Sequence, residues 1–402
     1  MNFMRLVFSR FNIGIYYMTP EDFHTIDDLR DRAQKRIPKL AFDYLDGGAG
    51  NEANIQRNRT GFEDILLCPE YLRDVSERSQ KVTLFGHTYD APIGVSPVGL
   101  ANLLWPKVDT VLATMARDRN IPYLISAAGT TALETIAEIA PDHAWFQLYV
   151  SGQEHVSFDL VRRAKEAGIK ILVVTVDIPL PAIRLRDLRN DFKMPFKMTP
   201  KVIWDIASKP GWAFATLVAG KPVFENLVPY MKEQSEEKSL NAAQALQVSP
   251  KLDEALMKRI RDAWDGPLII KGVLSPKTAA AAKRCGADGI IVSNHGGRQL
   301  DSAPSSIEAL PRVCDAVGNE MTIMLDSGIR NGGDIVKAYC SGAEFTFSGR
   351  SFVFGVGALG ELGGACVLDI FVDGVDRTLA QIGCTSIEEL GSEYLWASPQ
   401  NI

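Results

Sequence analysis

Eight short apolar runs punctuate the chain: Ala91–Val98, Pro122–Ala127, Ala144–Val150, Lys170–Asp177, Pro267–Val273, Gly289–Asn294, Thr322–Asp326 and Glu344–Ser348. They are nearly continuous rather than alternating, the pattern of parallel strands covered on both faces. Between them lie segments of helical periodicity; in Leu252–Trp264, for example, Leu252, Leu256, Ile260 and Ala263 fall on one face. Eight strand–helix units over about 250 residues predict an α/β fold, a (β/α)8 TIM barrel, in preference to an open doubly wound sheet. Ahead of it, Thr25 and Asp28 read as a helix-start capping pair. Pro38 opens a second helix carrying Leu40, Ala41, Tyr44 and Leu45, which Gly47 and Gly48 stop. The rhythm breaks once. The 74 residues from 178 to 251 exceed any plain connection and form a long insertion after strand 4; its stretch 233–249 is polar and expected to be mobile. No linker-like segment divides the chain, so residues 18–402 are expected to form one domain. Residues 1–17 are expected to be an extension without fixed structure: Arg10 interrupts them and no small-residue cleavage site follows.

Composition adds bounds. Of 402 residues, 46% are hydrophobic and 23% charged, which excludes a disordered chain. A net charge of −6 argues against a molecule-wide nucleic-acid surface. No uninterrupted apolar stretch reaches the roughly 18 to 20 residues of a membrane-spanning helix. The six cysteines are scattered without a C-x-x-C pair, which fits a reducing compartment. The insertion departs from the average: residues 193–221 carry a net charge of +4, interleaved with Phe196, Ile203, Trp204, Trp212, Phe214, Leu217 and Val218. Two readings stand level, a lid that touches a membrane surface and an ordinary insertion whose apolar side covers the barrel.

In a barrel of this type, reactive side chains come from strand C-terminal ends and the loops just beyond. Those ends read Pro97-Val98-Gly99, Ser126, Gln147 with Tyr149, Thr175 with Asp177, Lys271, Ser293 to Arg298, Asp326 to Gly328, and Gly349-Arg350. Polar residues at eight corresponding places point to one shared site. His295 lies between a strand and a Gly-Gly turn, where its imidazole can accept a proton near neutrality and Asp177 can orient it. Arg298 suits a bidentate grip on a carboxylate or phosphate. Lys271 ends an apolar strand and needs an anionic partner, either a cofactor atom or a neighbouring Asp; Asp326 has the same two readings. Arg330 and Arg350, in glycine-rich loops after strands seven and eight, mark a phosphate site. No metal-ligand spacing occurs, so no metal is expected. A hydrolase built on Ser293, His295 and Asp177 lacks the G-x-S-x-G elbow.

The segment Ser293–Asp301, Ser-Asn-His-Gly-Gly-Arg-Gln-Leu-Asp, closely resembles the signature of the FMN-dependent L-2-hydroxy acid oxidase and dehydrogenase family. Gln147–Val150, Thr175–Asp177 and Asp326–Gly328 match the same family in order. The resemblance runs from about residue 21 to 395. It implies FMN as cofactor, a 2-hydroxy acid as substrate and hydride transfer to flavin N5, with His295 as base paired to Asp177. It implies that Arg184 and Arg298 bind the substrate carboxylate, that Tyr44 assists, and that Tyr149 bonds near the reacting hydroxyl. FMN contacts fall to Pro97, Val98, Gly99, Ser126, Gln147, Thr175 and Lys271 at the ring, and to Ser293, Asp326, Arg330, Gly349 and Arg350 toward ribityl and phosphate. The run Gly99–Lys107 looks most like the mandelate and membrane-associated lactate dehydrogenase branch, and Gly99, where many oxidases have Ala, is associated with poor oxygen reactivity. The resemblance therefore implies electrons passed to a quinone or other acceptor, peripheral contact with a membrane through loop 178–251, a cytoplasmic location and a homotetramer. Ala127 and Ala128 stand where several relatives carry a bulky aromatic residue, which widens the pocket for an aryl or long-chain substrate. Asn331 replaces a second Arg, and Val98 a common Thr. Two alternatives remain: an oxidase that releases hydrogen peroxide, and a flavin-binding barrel without catalysis.

Overall fold

The computed structural model describes residues 18–192, 198–230 and 248–396. Eight parallel strands close into a barrel: β3 (Ile93–Val95), β4 (Tyr123–Ser126), β5 (Ala144–Tyr149), β6 (Leu172–Thr175), β7 (Leu268–Val273), β8 (Gly289–Val292), β9 (Thr322–Asp326) and β10 (Phe345–Ser348), with β10 paired to β3. Each lies within one of the eight expected runs. The TIM barrel is thus the observed fold, and its strands are buried on both faces as the continuous apolar runs required.

An antiparallel hairpin, β1 (Val82–Leu84) and β2 (His87–Tyr89), precedes the barrel. Its three-residue strands are too short for the apolar pattern to reveal. Its aromatic residues pack near the start of β5: Phe85 lies edge-on to Trp145, whose indole N–H donates to the Tyr89 hydroxyl at 3.1 Å. The hairpin therefore plugs the N-terminal end of the barrel, opposite the strand ends that carry the candidate chemistry.

Three helices lead in: α1 (Ile26–Arg36), α2 (Lys39–Asp46) and α3 (Ala53–Glu63). The capping pair is formed, with the Thr25 hydroxyl accepting from the Asp28 amide and the Asp28 carboxylate accepting from the Thr25 amide. Pro38 precedes α2 and Gly47 ends it. Ion pairs then fix α2 against the insertion. Asp46 takes Arg30 at 2.6 Å and Arg186 at 2.8 Å, and Arg186 also reaches Glu52. Burial alone would raise the Asp46 pKa, but the two guanidiniums outweigh it and hold the carboxyl below its usual range.

The insertion follows β6, the fourth barrel strand, as expected. Its described part holds the helices Leu185–Arg189, Pro200–Ala207 and Pro210–Ala219. Trp212 anchors the last of these, its indole N–H shared between the carbonyls of Leu103 and Leu104. The insertion returns where Val248 bridges Ser151 and the Ser249 amide donates to the Val150 carbonyl. The polar stretch expected to be mobile is therefore pinned at its final residues. The rest of it, with residues 1–17, Lys193, Phe196 and Lys197, lies outside the described residues. The consecutive helices spanning Arg350–Ile382 are long and apolar enough to cross a membrane, although the sequence reading expected no such element; they are mostly buried, with Phe352 and Phe371 packed together in the core.

Candidate functional site

The strand C-terminal ends surround a cavity of about 290 Å³. Among its walls are Tyr44, Pro97, Val98, Gly99, Tyr149, Thr175, Arg184, Lys271, His295, Arg298, Asp326, Arg330, Gly349 and Arg350. Four remaining expected residues stand beside these rather than in the wall. Asp177 bonds His295, Ser293 accepts from Lys271, and the Ser126 hydroxyl donates to Gln147 at 3.3 Å. A second, larger cavity of about 520 Å³ lies at the plugged end, lined by Phe85, Tyr89 and Trp145, and holds none of the expected residues.

His295 sits at the centre of a short relay. Its Nδ1 lies 3.0 Å from Asp177 Oδ1, and its Nε2 lies 3.4 Å from the Tyr149 hydroxyl. The Asp177 carboxylate accepts a hydrogen bond from Nδ1–H, which keeps the proton on Nδ1 and the lone pair on Nε2, on the side of Tyr149. Burial first, and the nearby Asp177 charge second, push the Tyr149 hydroxyl pKa up, so this phenol remains a donor. The turn is backbone-strained: His295 has φ +60, followed by Gly296 at +66 and Gly297 at +75. A non-glycine residue in the left-handed region costs on the order of 1–3 kcal/mol and persists where the surroundings enforce it. The enforcing contacts are visible, since a Cβ at Gly296 would stand 2.6 Å from the Arg350 guanidinium and one at Gly297 2.9 Å from the Ile55 amide.

Four arginines crowd this end of the barrel. Burial depresses the Arg298 pKa to about 10, and Arg184 adds to the effect. Burial also lowers Arg330 and Arg350, the latter further because it faces Arg298 and Arg330. Among the described residues no carboxylate pairs with Arg298, Arg330 or Arg350; Arg184 meets Asp187 only at 3.7 Å. Buried, mutually repelling guanidiniums are the electrostatic mark of a site made for anions. Lys271 differs. Its ammonium lies 2.8 Å from both Asp326 and the Ser293 hydroxyl, so the neighbouring-Asp reading of this lysine is realised. Burial would raise the Asp326 pKa, but Lys271 overrides it and holds the carboxyl below the ordinary range.

Two arginines have duties that the sequence did not suggest. Arg298 donates through Nη1 to the carbonyls of Tyr44 and Gly47, with its guanidinium 5.0 Å from the Tyr44 ring centre. Arg350 donates through Nε, Nη1 and Nη2 to the carbonyls of Leu45, Gly296 and Gly47, using three of its five N–H groups. The last carbonyls of α2 have no intrahelical donors and carry partial negative charge, so cations are drawn there. Arg350, expected to touch phosphate and lining the cavity, also clamps α2. Asn331, at the place where many relatives carry a second arginine, caps the helix Gly332–Cys340, accepting from the Asp334 amide at 2.9 Å. Of the two alanines expected to widen the pocket, Ala128 lines the cavity and Ala127 is buried behind it.

Sequence reasoning also missed the positioning residues Gly272 and Ser96, and it gave Ser327, named at a strand end, no duty of its own. Gly272, at φ +101, lets Asp177 approach: a Cβ there would lie 2.6 Å from the Asp177 side chain. Ser96 donates to Asp326, and Ser327 bridges Asp326 and the Gly296 amide. Only their position beside strand ends could have signalled them.

The polar groups fit a flavin mononucleotide. Gln147 Nε2 and Thr175 Oγ are fully buried without a hydrogen-bond partner, as are Asp177 Oδ2 and Arg184 Nε. Orphaned donors of this kind are rare and costly unless a ligand satisfies them. A donor amide and hydroxyl beside Lys271 suit the carbonyls of an isoalloxazine ring, and Arg330 with the glycine-rich loops suits its phosphate. Among the described residues no group of His, Cys, Asp and Glu forms a metal site.

The FMN-dependent dehydrogenase family model matches residues 33–397. (S)-Mandelate dehydrogenase of Pseudomonas putida is 38% identical over 378 residues, 93% of this chain and 94% of that protein. L-Lactate dehydrogenase of Pseudomonas syringae pv. syringae (strain B728a) is 36% identical, covering 92% and 97%. The crystal structure of the monotopic membrane protein (S)-mandelate dehydrogenase superposes with a TM-score of 0.89 at 37% identity, over 94% of this chain and all of that one. A mandelate oxidase holding (S)-4-hydroxymandelic acid gives 0.78 at 32% identity, over 93% and 98%. A family match across nearly the whole chain agrees with what the cavity's orphaned donors and unneutralised arginines require, and the chain belongs to the FMN-dependent dehydrogenases.

Proposed function

We propose that this protein oxidises a 2-hydroxy acid to the 2-keto acid with His295 as base, and passes the electrons to a quinone or other acceptor. The observation that carries the reading is the Asp177–His295–Tyr149 relay ending in the same cavity as Arg184 and Arg298. Relatives that act on mandelate and on lactate, both 2-hydroxy acids, support it. FMN, held by the groups described above, supplies the acceptor for two electrons, which no side chain here can.

The chain's own residues do the rest. Arg184 and Arg298 bind the substrate carboxylate, with Tyr44 between them; both guanidiniums lie over its ring. Tyr149, kept protonated by burial, donates to the substrate hydroxyl. His295 Nε2 takes the hydroxyl proton while the Cα hydrogen leaves with the bonding pair as a hydride, for which bound FMN would be the acceptor, and Asp177 stabilises the imidazolium formed. Lys271, tethered by Asp326, would supply positive charge to the isoalloxazine of bound FMN. Gly99 supports a dehydrogenase rather than an oxidase. A Cβ there would stand 3.1 Å from that of Ala128, tighter than ordinary contact, so an alanine at this position would press on Ala128.

The exposed apolar face of the insertion supports a peripheral place on a membrane. Ile203, Trp204, Phe214, Leu217 and Val218 are all exposed on the helices Pro200–Ala207 and Pro210–Ala219, beside Lys201, Lys209 and Lys221. A similar solved structure described as monotopic supports the same reading. The cytoplasmic side of the membrane and a homotetramer complete the proposal. Anaerobic mixing with glycolate, L-lactate and L-mandelate tests the activity: at least one bleaches the flavin absorbance, and bleaching by none overturns the proposal. Stopped-flow reoxidation in air tests the acceptor, with slow reoxidation expected and fast reoxidation making the protein an oxidase.

A further inference from the structure

One segment of the insertion is fastened to the barrel far more tightly than a cover requires. Asn226 is completely buried. Its Oδ1 accepts from the Leu133 amide at 2.7 Å, its Nδ2 donates to the Ser126 carbonyl at 3.1 Å, and its own carbonyl accepts from Arg163 at 2.8 Å. The carboxamide thus has both ends satisfied by barrel backbone about 100 residues away in sequence, which leaves it one orientation. Four residues on, Tyr230 donates to Asp159 at 2.5 Å and accepts from Arg163, which is itself bidentate on Glu134.

What this fastening holds is Phe224, two residues before Asn226. Phe224 lines the same cavity as His295 and Arg298, together with Ala128, Ile178, Pro181 and Val248. With Leu45, Pro97 and Val98 these five make the apolar part of a cavity otherwise ringed mostly by charged and hydrogen-bonding groups, and all of the five but Ala128 come from the insertion. Ser126, the barrel end of the clamp, terminates β4 and bonds Gln147. Asn226 therefore ties the aromatic wall directly to a strand end of the site.

We infer that Phe224, held by Asn226, is the specificity-determining wall for the substrate side chain, and that it selects 2-hydroxy acids bearing a large apolar substituent. The inference rests on the hydroxy acid reading of the cavity. A large apolar group covers the apolar wall to which Phe224 and Ala128 both contribute and sheds water from it; a hydrogen or methyl group leaves that wall uncovered, because the clamp keeps the ring from collapsing inward. An apolar pocket discriminates by about 10- to 200-fold for each methylene-sized difference.

Steady-state kinetics of the FMN-loaded enzyme with L-mandelate, L-lactate and glycolate test this. In Phe224→Ala, the mandelate-to-glycolate ratio of kcat/KM is expected to fall at least 10-fold, mainly through the KM for mandelate. A ratio within twofold of the parent overturns the inference. Asn226→Asp keeps the acceptor for Leu133 but sets a carboxylate against the Ser126 carbonyl. It is expected to lower the same ratio and to add little in the double variant with Phe224→Ala. An equal loss on all substrates, or full additivity, removes Asn226 as the positioning residue. If no hydroxy acid bleaches the parent enzyme, the reading of the site has failed; bleaching with an unchanged ratio fails this inference alone.

Discussion

His295 concentrates the chemistry of a single residue, and its environment makes the consequences of changing it specific. His295→Gln keeps the volume and a hydrogen-bonding group near Tyr149 but has no basic nitrogen. Turnover should fall by at least ~10² while the bound flavin keeps its absorbance, as rapid mixing and a visible spectrum will report. The Lys271–Asp326 pair makes a prediction about pH. Asp326 has a folded pKa below its unfolded value, so it contributes stability that is fully present above pH ~4 and is lost as pH falls through the folded pKa. Asp326→Asn leaves Lys271 buried without a counter-charge and should cost about 3–5 kcal/mol near neutrality. The gap from the parent should narrow below pH ~4, as urea unfolding across the acid range will show. At this scale much was legible. Histidine, arginine and lysine at the ends of apolar strands break a local rule, and each proved to line the site. Gly272 and Asn226 were not legible, because what makes each matter is a neighbour some 95 to 100 residues away.

Among the elements, α2 and the insertion decide how the cavity is closed. The C-terminal carbonyls of α2 draw Arg298 and Arg350, so this helix brings Tyr44 to the site and is held there by the loops after β8 and β10. The insertion divides its labour. Trp212 binds it to the barrel, while Trp204, Phe214, Leu217 and Val218 face outward. Replacing those four outward residues with serine should abolish sedimentation with anionic vesicles and leave kcat with a soluble acceptor dye within twofold. A variant that still sediments would remove these two insertion helices as the membrane contact. The basic and aromatic composition of this segment was readable beforehand, but which residues turn inward was not. Trp204 and Trp212 have similar surroundings in sequence, and only the carbonyls of Leu103 and Leu104 distinguish them.

Over the whole molecule, the barrel accumulates positive charge at one end, and among the described residues no carboxylate pairs with Arg298, Arg330 or Arg350. Arg298, Arg330 and Arg350 are buried and mutually destabilising until an anion arrives. Protein stripped of flavin should therefore gain stability on adding FMN, by about 2.7 kcal/mol at a hundredfold excess over Kd. Riboflavin, which lacks the phosphate, should give less, and equal upward shifts in thermal midpoint for the two would remove the arginines as the phosphate site. The folding pattern itself was set locally. Eight apolar runs of strand length, separated by helical periodicity, can bury both faces only in a closed or doubly covered parallel sheet, and closure was read from their number. The hairpin β1–β2 escaped this reading because three-residue strands carry no period, and its role as a plug depends on Tyr89 and Phe85 meeting Trp145.

The sequence by itself determined the strands, their order, the strand-end residues and, through the Ser293–Asp301 signature, the flavin chemistry, since each of these is a property of neighbours along the chain. The tertiary structure alone decided that Arg350 clamps α2, that Asn331 caps a helix, and that Phe224 walls the cavity. Those roles depend on which backbone carbonyls are left without donors and which apolar surfaces meet once the barrel has closed, and neither exists until residues distant in sequence share one end of the fold.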